Sequence, residues 1–241
     1  MSTKYEKNIY LAMLAEQCNR FEEMVTFLEE LLSSRDKDLN SDERNLLSIA
    51  YKNSVSSRRT ALRTIIAYET KEKKKETSNF LPYIQEYRKK VEEELFAKCQ
   101  NVIKAIDTQL LKKAEDDEAK VFYIKMKGDY NRYIAEYASD DLKTKVADDA
   151  LNAYNEASTI AKNLGVLNPI ALGLALNFSV FYYEVKNDHD TACKIATEAI
   201  EKADKELPNI DEDADENRDA VSIVNLLKEN LDMCKSEEEE N

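Results

Sequence analysis

Lys52 and Arg59 stand seven residues apart, as do Lys125 and Arg132, with Tyr133 next to the latter. Seven residues is close to two α-helical turns, so each pair emerges on one helix face. Lys and Arg at this spacing are usually a solvated face or the partners of nearby acids, and on periodicity alone that reading is preferred. The combination supports a second one. Two Arg, a Lys and a Tyr hydroxyl together satisfy a phosphate dianion. Arg gives forked, charge-assisted bonds worth about 1.5–3 kcal/mol each. A phosphoester brings about −1.5 to −2 charges and three acceptor oxygens.

Asn177 and Glu184, also seven apart, interrupt an otherwise apolar stretch beside Leu176 and Val180. A helix that is apolar on all sides is normally buried, and a buried amide or carboxylate needs partners. The two either bond neighbouring helices as a satisfied core pair or line a groove that accepts a polar ligand. Further on, Ile223, Leu226, Leu227 and Asn230 fall at i, i+3, i+4 and i+7.

Catalytic signatures are missing. There is no Gly-rich phosphate loop, no GxSxG and no HExxH. The one His, His189, lies between Asp188 and Asp190 at an expected helix start, which makes a triad improbable. Carboxylate pairs are common, but 48 acids make them so by chance. Neither an enzyme, a metal site nor a cofactor is indicated. Cys18, Cys99, Cys193 and Cys234 are far apart and show no zinc spacing, so four free thiols are expected.

The elements that must position these residues are helices. Three Gly and three Pro in 241 residues exclude turn-rich β architectures. A net charge of −13 argues against general nucleic-acid binding. The start lacks an apolar signal core, and the longest apolar run, 170–185, is shorter than a membrane span of about 20 residues. A soluble, cytoplasmic protein is expected.

Apolar periodicity gives nine helices, near 4–17, 21–33, 41–72, 82–111, 114–138, 140–163, 169–186, 189–206 and 217–235. Asn40 with Glu43 forms a capping box, and Pro82 and Asn168-Pro169 suit helix starts. Asp140-Asp141 is read as a cap and Gly165 as a left-handed stop. Short connections imply antiparallel neighbours in one all-α domain over 1–235. An acidic tail, 236–241, is expected to be disordered.

Three long segments carry a resemblance. They are Arg44-Asn-Leu-Leu-Ser-Ile-Ala-Tyr-Lys-Asn53, Tyr123-Ile-Lys-Met-Lys-Gly-Asp-Tyr-Asn-Arg-Tyr133 and Leu172-Gly-Leu-Ala-Leu-Asn-Phe-Ser-Val-Phe-Tyr-Tyr-Glu184. With Leu14-Ala-Glu-Gln17 and Leu226-Leu-Lys-Glu-Asn-Leu231 they resemble 14-3-3 proteins over nearly the whole chain. The resemblance implies nine antiparallel helices, a cup-shaped dimer and one amphipathic groove per protomer. It implies an adaptor, not an enzyme, that binds clients phosphorylated on Ser or Thr. Lys52, Arg59, Arg132 and Tyr133 would hold the phosphate. Lys125, Asn177, Glu184 and Asn230 would bond the peptide, and Leu176, Val180, Ile223 and Leu226 would form the apolar wall. At the dimer interface Arg20 would pair with Glu94 and Glu23 with Lys90, beside Leu14 and Ala15. The partner chain would be a second copy or a paralogue.

The sequence departs from the family pattern in places. Leu62 and Cys234 stand where Trp is usual, Ser222 where Leu is usual, and Ala61 where a phosphorylatable Ser is frequent. The smaller side chains at 222 and 234 imply a reduced apolar wall and altered client preference. A phosphate-independent helical scaffold is the alternative, although no repeat near 34 residues is seen.

Overall fold

Helix starts coincide with side chains that can satisfy the first unpaired N–H groups. The computed structural model describes residues 3–75, 77–211, 214–215 and 217–239. There α1 (Lys4–Gln17) begins behind Thr3, α2 is Phe21–Ser33, and α3 (Ser41–Lys73) begins behind Asn40. The Asn40–Glu43 capping box forms as expected, each side chain accepting from the other's N–H. Helix α4 (Leu81–Ala105) carries Pro82 in its first turn, then runs through a π-helical turn, Ile106–Leu110, to Lys113. Helix α5 (Asp117–Ala135) is capped by Asp116, and α6 (Asp140–Ile160) passes into a 3₁₀ turn at Ala161–Asn163. Helix α7 (Pro169–Phe181) is capped by Asn168 and ends in a π-helical turn, Tyr182–Lys186. Helices α8 (His189–Glu206) and α9 (Arg218–Glu239) complete the chain. Among the described residues there are thus nine helices, counting the π and 3₁₀ turns with the helices they continue, and no strand. No helix there is long and apolar enough to cross a membrane.

Several boundaries depart from the sequence reading. Asp140-Asp141 does not cap α6; Ser139 occupies the N-cap without a side-chain bond, and Asp140 takes a positive φ of 52°. Gly165 is not a left-handed stop, for no glycine has positive φ. The helix ends instead where Leu164 turns extended (φ −89°, ψ 156°) after its N–H bonds the Ala161 carbonyl. Helix α9 continues to Glu239, beyond the expected end at Lys235. Glu is among the better helix formers, and propagation needs no new nucleus. Residues 240–241 of the acidic tail lie outside the described residues, as does Glu76 of the Lys71–Glu76 charge run.

The chain forms two compact units, Met1–Ala114 and Glu115–Asn241, which together span the stretch read as one domain. In the first unit α1 to α4 bury Met24, Leu47, Val55, Leu62 and Leu95. Its α3 and α4 are tied by Glu69, which accepts from Arg88 (3.0 Å), pairs with Lys73 (2.7 Å) and faces Gln85. The Lys73 bond, opposed by burial and aided by Arg88 and Gln85, holds the Glu69 carboxyl down to about 2. In the second unit Tyr123, Tyr154 and Phe181 are fully buried. A second cluster joins α7, α8 and α9 through Leu172, Ala196, Ala203, Val224 and Leu227.

Four free thiols were expected, and this is corrected. Cys193 on α8 and Cys234 on α9 form a disulfide, with Cα atoms 6.4 Å apart. Their separation of 41 residues hides the pairing in the sequence. It appears once the packing of α8 on α9 brings the two Cβ atoms together, within the Cα range a bridge allows. Cys18 (exposed) and Cys99 (buried) remain free.

Candidate functional site

In the second unit the polar centre is built around a residue that the sequence did not single out. Asp129 on α5 is buried, and both its oxygens are engaged. Its Oδ1 accepts from the Tyr154 hydroxyl at 2.7 Å and from Asn177 Nδ2 at 2.8 Å; its Oδ2 accepts from Lys125 Nζ at 3.0 Å. The donors come from α6, α7 and α5. A buried carboxylate is costly unless it is paired and hydrogen-bonded in this way. Asn177, half-buried, thus bonds a neighbouring helix through its Nδ2.

Arg132, one turn beyond Asp129, is 6% exposed. Its Nη1 lies 3.2 Å from Glu184 Oε2, its Nε donates to the Tyr154 hydroxyl at 3.4 Å, and its guanidinium sits 4.8 Å from the centre of the Tyr133 ring. Burial works against the charge. The oxygens of Tyr154, Tyr133 and Asp129 outweigh it and hold Arg132 above the ordinary guanidinium value. Burial, then Asp129, pushes the Tyr154 phenol well above its ordinary value. Tyr154 is thus a neutral hydroxyl that donates to Asp129 while accepting from Arg132.

These contacts require α6 to lie close against α5, and Gly128 permits it. A Cβ at Gly128 would meet the Tyr154 ring at 2.8–3.0 Å. A glycine inside a helix costs stability, and this close approach is its reason. The pairs Glu118–Asn168, Asp129–Asn177 and Arg132–Glu184 rise together in number. Helices α5 and α7 therefore run parallel, each antiparallel to the α6 between them in sequence.

The remaining candidates of this unit fall into two groups. Leu176 and Ile223 pack partly buried against the α7–α8–α9 cluster, while Leu226 is 46% exposed. Val180, Glu184 and Asn230 line one cavity of about 300 Å³, together with Tyr183, Leu231, Met233 and the Cys193–Cys234 bridge. Ser222 is exposed on α9.

In the first unit Lys52 is exposed and Arg59 half-buried, both on α3. Arg59 acts electrostatically on Cys99 of α4, whose thiol burial pushes up to about 12. Arg20 pairs with Glu23 within the chain, and Glu94 lies 3.6 Å from Arg58. Lys90 is exposed and Ala61 half-buried. Leu14 is 47% exposed, whereas Ala15 is buried and has little surface to offer a partner. Tyr10 and Met13 on α1, and Tyr83 and Tyr87 on α4, are exposed apolar side chains.

Asp129, Tyr154 and Gly128 were missed by sequence reasoning. Gly128 alone carried a signal, a glycine inside a long, strongly periodic helix. Among the described residues no group of three or more His, Cys, Asp or Glu side chains could hold a metal ion.

The family model described as "14-3-3 protein" matches residues 11–235. A 14-3-3-like protein of Helianthus annuus is 44% identical over 239 residues, covering 98% of this chain and 92% of its own. The 14-3-3 protein 6 of Solanum lycopersicum is 42% identical over 240 residues, with 98% and 92% covered. The 14-3-3 protein 2 of Entamoeba histolytica is 45% identical over 235 residues, with 98% of both chains covered.

Proposed function

This chain belongs to the 14-3-3 family of adaptor proteins, which are not enzymes, and from that premise we propose that it binds client proteins through phosphorylated Ser or Thr. Lys52, Arg59, Arg132 and Tyr133 hold the phosphate; Lys125, Asn177, Glu184 and Asn230 bond the flanking peptide; Leu176, Val180, Ile223 and Leu226 form the apolar wall.

The observation that carries this reading is Arg132, a buried cation whose carboxylate partner reaches solvent. Glu184 keeps 40% of its side chain exposed, against 8% for Arg132. A phosphate can take its place on the guanidinium while Glu184 swings to a peptide N–H. Lys125 and Arg132 are matched one for one by Asp129 and Glu184. A phosphoester adds about −1.5 to −2, and we place Lys52 and Arg59 of α3 beside Arg132 against it, as the family resemblance implies. An unmodified hydroxyl brings no charge to offset desolvating these cations, so discrimination follows from the phosphate itself.

We further propose a cytoplasmic dimer, with itself or a paralogue, in which Leu14 and the exposed apolar residues of α1 and α4 contribute most of the contact. Arg20, Glu23, Lys90 and Glu94 set its register, since exposed ion pairs contribute only about 0–1 kcal/mol each. Two linked grooves raise affinity for doubly phosphorylated clients by about 10²–10⁴-fold where spacing fits. Fluorescence polarisation with one phosphoserine peptide and its dephosphorylated twin tests the reading. Binding of the phosphorylated form alone is expected; equal binding would overturn it in favour of a phosphate-independent scaffold.

A further inference from the structure

We infer that the cavity between α7, α8 and α9 is a specificity pocket for one uncharged, bulky apolar side chain of the client segment, next to the residue that bears the phosphate. The inference rests on the phosphopeptide reading above. The cavity of about 300 Å³ lies at the small end of the ligand-pocket range, roughly 300–1,000 Å³. That suits one side chain better than a cofactor. Val180, Leu231 and the Cys193–Cys234 bridge give it apolar walls. Met233, 60% exposed, also lines it and adds an adaptable thioether surface.

Its position ties it to the phosphate site. Glu184 lines the cavity and also contacts Arg132 at 3.2 Å, so one side chain separates the space from the buried cation. Asn230, across the same space, offers an amide to a peptide backbone. A backbone held there would present its neighbouring side chain to the cavity. Glu184 repels an acid. A base would be desolvated among apolar walls while Glu184 is engaged by Arg132 or by the peptide. An apolar residue gains by leaving water.

The test is a phosphoserine peptide series in which each flanking position in turn is Ala, Leu, Phe or Trp, measured on the full-length protein. Affinity is expected to rise about tenfold or more with apolar size at one position only. Cys234→Trp, which fills the space, should remove that gain and leave the Ala peptide bound. Cys234→Ser, which breaks the bridge without filling the space, should keep it. Should Cys234→Trp not fold, Ala192→Leu narrows the cavity from another wall and is expected to remove the gain as well. A flat series, with the parent phosphopeptide still bound, overturns the pocket and leaves the phosphopeptide reading standing. Failure of every phosphopeptide overturns both. A gain that persists in the filled, folded variant places the preference elsewhere and also overturns the pocket.

Discussion

Arg132 and Glu184, 52 residues apart in sequence, meet at 3.2 Å in the second unit, and the cation is much the more deeply buried of the two. On the reading proposed above, an incoming phosphate would exchange with a carboxylate instead of entering an empty hole. Arg132→Ala should lower phosphopeptide affinity at least about 100-fold, since two charge-assisted bonds are lost and each 1.4 kcal/mol is tenfold. Arg132→Lys should fall in between, because an ammonium cannot fork. Polarisation titrations check the affinities, and circular dichroism checks that both variants fold.

Asp129 makes a different prediction, one about stability. Asp129→Ala leaves the Lys125 ammonium, the Tyr154 hydroxyl and the Asn177 amide without their common acceptor. A loss of about 3–5 kcal/mol is expected. Asp129→Asn keeps an acceptor but removes the charge and should lose less. Urea unfolding of the three proteins gives the ranking; equal stability would mean that the network adds nothing net.

Acid should loosen the α3–α4 tie. The folded Glu69 carboxyl is held near 2, below its ordinary value of 4.5. Its contribution is thus fully present above about pH 4.5 and is lost as pH falls toward 2. The stability difference between wild type and Glu69→Gln should be constant near neutrality and shrink across that window. A difference that grew on acidification would contradict the assignment.

Thiol chemistry should distinguish all four cysteines. Cys18 is exposed and should react with a thiol reagent in the native protein. Cys99 is buried, with its thiol pushed up to about 12, and should stay unmodified until unfolding. Cys193 and Cys234 should become available only after reduction. Peptide mass mapping after labelling, with and without a dithiol reductant, reads each site.

The sequence carried much of this. Capping groups such as Asn40 and Asn168 announce their helices through local bonds, and seven-residue spacing places Lys125 and Arg132 on one face because it depends only on helix geometry. Asp129 was illegible because one acid among 48 has no local mark. Its role exists only where three helices converge. The bridge between Cys193 and Cys234 was hidden for the same reason. The π-helical turn that carries Glu184 breaks the even spacing from Asn177 that a regular helix would give.

Because α5 and α7 run parallel, their carbonyl ends lie at the same level, and there Arg132 in the last turn of α5 meets Glu184 of the turn that continues α7. Two aligned macrodipoles present partial negative charge at that level. Many anion receptors work the other way round, with N–H groups at a helix start greeting the ligand. On the phosphopeptide reading proposed above, the protein backbone here would oppose the anion, and the side chains would have to overcome it. Losing the Arg132 guanidinium would leave that partial negative charge facing the phosphate with only the other proposed cations to oppose it, so one substitution should cost more there than at a helix start.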